Sequence, residues 1–174
     1  MRTLLFISTA VLLFSGCSTQ ETKVNEPKLM SYNNTELDDW NGLFTIKQSD
    51  NAHSGRNVAF VDAATEYSMG YLKSFENISK SKLDSVAFSY WIFCKDNKAK
   101  AKTVMSIDLP DNAKNLFWAG NPIQDKVKEY SKWVKITESF KLPPNIEPKS
   151  ILKLYVWNNS KEEILLDDFK VEFY

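Results

Sequence analysis

Ser85-Val86-Ala87-Phe88-Ser89-Tyr90-Trp91-Ile92-Phe93-Cys94-Lys95 alternates residue by residue between two kinds of side chain. In an extended chain, Val86, Phe88, Tyr90, Ile92 and Cys94 share one face, and Ala87, Ser89, Trp91, Phe93 and Lys95 share the other, because successive strand side chains point to opposite sides. The first set is expected to face a core. The second is mixed and is expected to face solvent. Ile151 to Asn158 divides in the same way, with Leu152, Leu154 and Val156 against Lys153, Tyr155 and Trp157.

The same signature runs outward in both directions. Short stretches rich in Val, Ile, Phe, Tyr and Thr are punctuated about every ten residues by Asn, Asp, Ser, Gly or Pro, which is the pattern of an all-β chain. Expected strands are Leu43 to Gln48, Asn57 to Asp62, Tyr67 to Phe75, Ser85 to Lys95, Lys102 to Leu109, Asn115 to Ala119, Trp133 to Leu142, Ile151 to Asn158 and Ile164 to Phe173. Only Asp125 to Trp133 is expected to hold a helical turn. So many strands in one domain fit an all-β, two-sheet antiparallel sandwich of the jelly-roll kind, which buries the apolar face of each sheet against the other. Barrel closure is the second arrangement. Asn158 to Glu162 has the turn chemistry of a four- or five-residue hairpin loop.

Residues 1–16 read as a signal segment, with a basic Arg2 and an apolar stretch from Leu4 to Phe14. That stretch matches a secretory core and falls short of the roughly 20 residues of a spanning helix. Leu13-Phe14-Ser15-Gly16-Cys17 resembles the lipobox of bacterial lipoproteins. The resemblance implies cleavage before Cys17, lipidation of that cysteine, anchoring in a membrane, and residence in the bacterial cell envelope, with Ser18 compatible with the outer membrane. An ordinary secretory signal with a chance cysteine is the alternative. Residues 17–29 then form a lipidated cysteine and polar tether, and residues 30–174 the sandwich domain.

Removing Arg2 from the 22 basic residues leaves 21 against 22 acidic ones. This balance gives no basic face for a nucleic acid, and the densest basic run, Lys95 to Lys102, reads as a solvated hairpin tip. With Cys17 lipidated, Cys94 has no disulfide partner and reads as a small buried hydrophobe.

Three stretches carry a family resemblance. His53-Ser54-Gly55-Arg56-Asn57-Val58-Ala59-Phe60-Val61 is similar to an HSG-x-x-A turn and strand. Tyr130-Ser-Lys-Trp133 with Phe140-Lys-Leu-Pro143 is similar to a "W, then F-x-L-P" strand. Leu152 to Asn158 followed by Ile164 to Val171 is similar to a closing strand pair with its Asp-Asp. Together, from about Met30 to Tyr174, they resemble carbohydrate-binding modules of the galactose-binding-like jelly-roll group. That resemblance implies a non-catalytic module whose partner is a polysaccharide or glycan. It also implies a structural calcium ion, with Glu36 on the first strand and Asp167 on the last as its metal ligands. The other reading of Asp167-Asp168 is a pair alternating across an edge strand.

Sugars lay an apolar ring face on aromatic side chains while polar groups take the hydroxyls. Of the five tryptophans, Trp133 matches the packing tryptophan of the resembled family, and Trp40 is expected to close the sandwich edge. Trp91, Trp118 and Trp157 are the candidate platform, with Tyr155, Lys153, Asn121 and Asn158 as hydrogen-bonding neighbours. Packing within a sheet is the competing reading for each.

No enzyme site is legible. The adjacent pairs Glu162-Glu163 and Asp167-Asp168 diverge if they lie in strands, whereas glycosidases hold two carboxylates about 5–10 Å apart. His53 is the one histidine, and no Gly-x-Ser-x-Gly elbow is present. A structural or adhesive envelope lipoprotein that binds a protein partner instead of a sugar is the alternative function.

Overall fold

The computed structural model describes residues 26–37, 39–110 and 114–174. Cys17 and the signal segment lie outside the described residues. Ten strands form two antiparallel sheets. They are β1 (Leu29–Asn33), β2 (Ile46–Gln48), β3 (Asn57–Val61), β4 (Tyr71–Ser74) and β5 (Ser85–Cys94), then β6 (Ala101–Asp108), β7 (Asn115–Pro122), β8 (Trp133–Lys141), β9 (Ile151–Asn158) and β10 (Ile164–Phe173). The six-stranded sheet runs β2-β3-β10-β5-β8, with β1 also pairing β10, and the four-stranded sheet runs β4-β9-β6-β7. The chain thus alternates between sheets, as a jelly roll requires.

This topology corrects two turn assignments. Residues 95–100 and 159–163 are not hairpin tips: β5 and β6 lie in different sheets, as do β9 and β10, so both loops arch across the sandwich. The true hairpins are β2–β3 and β6–β7. The Tyr67 to Phe75 stretch is strand only over β4 and then turns into a short helix, α1 (Phe75–Ile78). The helical turn expected from Asp125 falls earlier, as a 3-10 turn over Ile123–Asp125.

The core forms as the alternation implies. Val86, Phe88, Tyr90, Ile92 and Cys94 from β5 meet Leu152, Leu154 and Val156 from β9, and Phe169, Val171 and Phe173 from β10 close around them. Trp40 is part of this core, edge-on to Tyr71 at 5.4 Å. Burial pushes the Cys94 thiol up to about 12, so it stays protonated and inert.

The outer face of β5 is less wet than its composition suggests. Ala87 and Ser89 are buried, since each short side chain sits in register beside a long one, Glu172 and Lys170 respectively. Trp91 and Phe93 are half-covered. Trp133 packs on this outer face against Phe93 at 5.8 Å, and is not in the core.

Candidate functional site

The four-stranded sheet turns its outer face to solvent, and the register lays out what that face carries. Trp157 of β9 lies opposite Lys102 of β6 and is bridged to Tyr67 on its other side. One row along, Tyr155 lies opposite Val104, and Val104 opposite Gly120 of β7. In the next row Lys153 pairs Ser106, and Ser106 pairs Trp118. Alternation along β9 therefore places Lys153, Tyr155 and Trp157 on one surface, as expected.

These side chains interlock. The Tyr67 ring stacks on Trp157, with centroids 6.3 Å apart and planes 15° apart, and Tyr155 meets Tyr67 edge-on at 5.8 Å. Trp118 meets Trp157 edge-on at 6.4 Å. The Lys102 ammonium stands 5.4 Å from the Trp157 ring centroid and 5.5 Å from that of Trp118. With Tyr67 and Lys102 as its neighbours, Trp157 is half-buried and its indole N–H is shut off from solvent without a hydrogen-bond partner. The open ring surface belongs to Tyr67 and Trp118, which are 51% and 44% exposed.

Polar groups flank the aromatics. Lys153 Nζ lies 2.6 Å from Asp108 Oδ2, and Asn115 Nδ2 donates to Asp108 Oδ1 at 2.8 Å. Burial pushes the Asp108 carboxyl up, but these two partners outweigh it and hold it below its ordinary value. Burial raises the Tyr155 hydroxyl, offset in part by a hydrogen bond with Trp118. A pocket of about 280 Å³ opens beside the platform, lined among others by Tyr67, Gly70, Leu72, Lys153 and Tyr155. With Tyr67 6.3 Å and Trp118 6.4 Å from Trp157, the two exposed rings lie no more than about 13 Å apart, a span suited to a short oligosaccharide.

The structure brings together Trp118, Trp157, Tyr155 and Lys153 and separates the other three sugar-site candidates. Trp91 is on the opposite sheet, beneath the His53 ring, which stacks on it at 4.0 Å and 20°. Asn121 points inward, where its Nδ2 donates to Glu138 Oε2 at 2.9 Å. Asn158 is buried in the β9–β10 arch, donating to the Glu162 carbonyl and accepting from Ser160 N and Oγ. Both amides are held by internal partners because alternation puts them on inner faces. Sequence reasoning missed Tyr67 and Lys102. The sequence places Tyr67 in a strand without a facing, yet it lies just before β4 as a bridge residue, and Lys102 gains its place only from the pairing of β6 with β9.

The second candidate site does not fit calcium. Glu36 lies in the turn after β1, where its Oε1 accepts from Arg56 N and Asn57 N at 2.7 Å each and its Oε2 from Asn57 Nδ2 at 3.0 Å. Asp167 Oδ2 accepts from His53 N and Ser54 N, and its Oδ1 from Asp168 N. All four carboxylate oxygens thus face donors, whereas calcium needs about 6–8 oxygen ligands presented to the ion. Among the described residues no group of three His, Cys, Asp or Glu could hold a metal.

The two aspartates do not alternate across an edge strand either. β10 is central, a register shift breaks its ladder to β5 between Asp167 and Lys170, and Asp168 takes a left-handed φ of 49°. Such a bulge re-aims side chains, so both carboxylates reach the 53–54 turn. Asp168 Oδ2 is 2.5 Å from His53 Nδ1, while its Oδ1 accepts from Ser54 Oγ at 2.7 Å and from the Tyr32 hydroxyl. Burial pushes Asp168 up, and these partners overcome it and hold the carboxyl below its usual value. Burial instead wins at Asp167, whose carboxyl is raised. Ser54 and His53 lean on one carboxylate and not on each other, so the nucleophile-to-base contact of a triad is not formed.

No sequence-family model and no curated protein matches the chain. Solved structures do match it in fold. The CBM22-2 xylan-binding domain from Paenibacillus barcinonensis Xyn10C aligns at 16% identity over 83% of this chain and 99% of that one, with a TM-score of 0.57. The CBM22-1-GH10 modules of Clostridium thermocellum Xyn10B, complexed with xylohexaose, align at 14% identity over 82% of this chain, TM-score 0.56. This chain spans only 28% of that longer one. CBM35 from Cellvibrio japonicus Abf62 aligns at 9% identity over 82% of this chain and 92% of that one, TM-score 0.50. The chain has the jelly-roll fold shared by these carbohydrate-binding modules.

Proposed function

We propose that this chain is a non-catalytic carbohydrate-binding module, held by a lipid on Cys17 to the bacterial envelope at the outer membrane. The observation that carries the reading is the platform of Tyr67, Trp157 and Trp118 on the outer face of the four-stranded sheet, flanked by Lys102, Tyr155 and the Lys153–Asp108 pair. Exposed ring faces between hydrogen-bonding groups suit a pyranose chain. The xylan-binding modules that share the fold support the same class of ligand. Titrating a soluble domain of residues 28–174 against a panel of poly- and oligosaccharides tests the reading. It predicts saturable binding to at least one glycan, abolished by Tyr67→Ala with Trp118→Ala; no binding across the panel overturns it. Radiolabelled palmitate incorporation that Cys17→Ser removes tests the anchor.

A protein partner is the second reading. Met30, Tyr32, Leu37 and Phe44 are exposed apolar or aromatic side chains in the segment that leads from β1 toward β2, and such exposure suits a protein contact. Cross-linking in intact envelopes that recovers no partner would remove it.

A further inference from the structure

We propose that the platform selects glycans that carry anionic substituents, carboxylate or sulfate, and that Lys102 is the residue that reads them. The proposal rests on the carbohydrate reading above and names the class of sugar. Lys102 and Lys153 both lie on this face, and they differ in their surroundings. Lys153 is matched by Asp108 at 2.6 Å. Lys102 has no carboxylate within 4.0 Å among the described residues, and its ammonium contacts are the faces of Trp118 and Trp157.

Lys102 is also held in place. Its Cδ lies 3.2 Å from where a Cβ on Gly120 would stand, in the same space that the Trp118 ring occupies. Its stem therefore runs over the glycine, and its charge stands between the two indoles. A lysine that served only solubility would extend into water, since an ammonium is strongly hydrated and its stem is flexible. Ordering that stem against aromatic walls places an uncompensated positive charge about 5.5 Å from each of the two rings. A sugar ring laid on Trp118 would bring its substituents within reach of that charge. A neutral pyranose leaves the cation unmatched, whereas a uronate or sulfate ester supplies the missing partner in a partly desolvated site, where charge-assisted contacts are strongest. The compact ammonium does not distinguish carboxylate from sulfate by shape, so both belong to the proposal.

The test uses residues 28–174 and two matched pairs of probes: oligogalacturonates against their methyl esters, and sulfated carrageenan oligosaccharides against the desulfated chains. Calorimetric titration at about 50 mM and 500 mM salt is expected to show at least a tenfold preference for the charged member of one pair or both. That preference should shrink in high salt and vanish in Lys102→Gln, while Lys135→Gln on the other sheet retains it. Which pair shows the preference separates a carboxylate ligand from a sulfate ligand. Equal affinity for charged and neutral members, or a preference that Lys102→Gln leaves intact, overturns the proposal and leaves the carbohydrate reading standing. Failure to bind these probes or any glycan of the wider panel overturns both.

Discussion

The indole of Trp118 reaches over Gly120, so close that a Cβ at residue 120 would fall inside the radius of the ring's Cη2 and Cζ2 atoms. The glycine is what lets a side chain two residues away lie along the sheet, because both point to the same face of β7. Gly120→Ala must therefore move the ring. We expect the variant to keep the fold, with a change in stability of about 1 kcal/mol or less, and to bind its best glycan about tenfold more weakly. That loss corresponds to about 1.4 kcal/mol. Calorimetric titration beside a urea melt checks both, and unchanged affinity would show that the contact of the indole with Gly120 is packing alone.

Tyr67 and Trp118 offer open ring faces, whereas Trp91 lies under His53 on the other sheet. Tyr67→Ala and Trp118→Ala should each weaken glycan binding by roughly tenfold, of the order that one aromatic contact contributes, with little effect on the melting temperature. Trp91→Ala should do the reverse, leaving affinity unchanged and costing about 1–3 kcal/mol of stability through the lost stack and buried surface. Affinity that falls with Trp91→Ala and not with Trp118→Ala would move the site to the six-stranded sheet.

Alternation made the inner faces of β5 and β9 legible in the sequence, since period-two patterning is local. It also placed Lys153, Tyr155 and Trp157 together. What it could not supply was pairing across strands. Trp91 and Trp157 have the same local signature, an aromatic on a mixed face, and only the assignment of β5 and β9 to different sheets separates them. Likewise Asn121 and Asn158 sit in polar stretches, yet a single step of strand parity turns each inward to a private partner. Asp167-Asp168 departs from the pattern for a different reason. The strand pattern assumes a regular ladder, and a bulge with one residue at positive φ breaks it there.

Acid should loosen the domain. The carboxyls of Asp168, Asp108 and Glu36 are all held below their ordinary values by hydrogen bonds in the native state. A group depressed on folding contributes stability that is present above its unfolded pKa and is lost as pH falls through the folded one. Asp167, raised by burial, acts with the opposite sign. The urea midpoint should thus fall below about pH 4, near the unfolded carboxylate range. Asp168→Asn should make that acid fall shallower. A midpoint that rises toward pH 3 contradicts the balance of signs.

Glu36 and Asp167 tie the turn after β1, the 53–57 loop and the bulge of β10 into one hydrogen-bonded clasp. Because their oxygens already accept N–H donors, the clasp should need no metal. An ion present at a hundredfold over its Kd would add about 2.7 kcal/mol of stability, which for a domain of this size raises the melting temperature by roughly 5–10 °C. The melting temperature in millimolar calcium and in excess EDTA should instead agree within about 1 °C. Glu36→Gln keeps the shape of the side chain but leaves one neutral acceptor oxygen and turns the other acceptor into an NH2 donor. It should weaken the contacts to Arg56 N and Asn57 N, lower the melting temperature equally with and without calcium, and leave glycan affinity alone, since the clasp lies on the six-stranded sheet and the platform on the other. A calcium-dependent rise of several degrees that Glu36→Gln or Asp167→Asn abolishes would show that these carboxylates turn toward a metal when one is supplied.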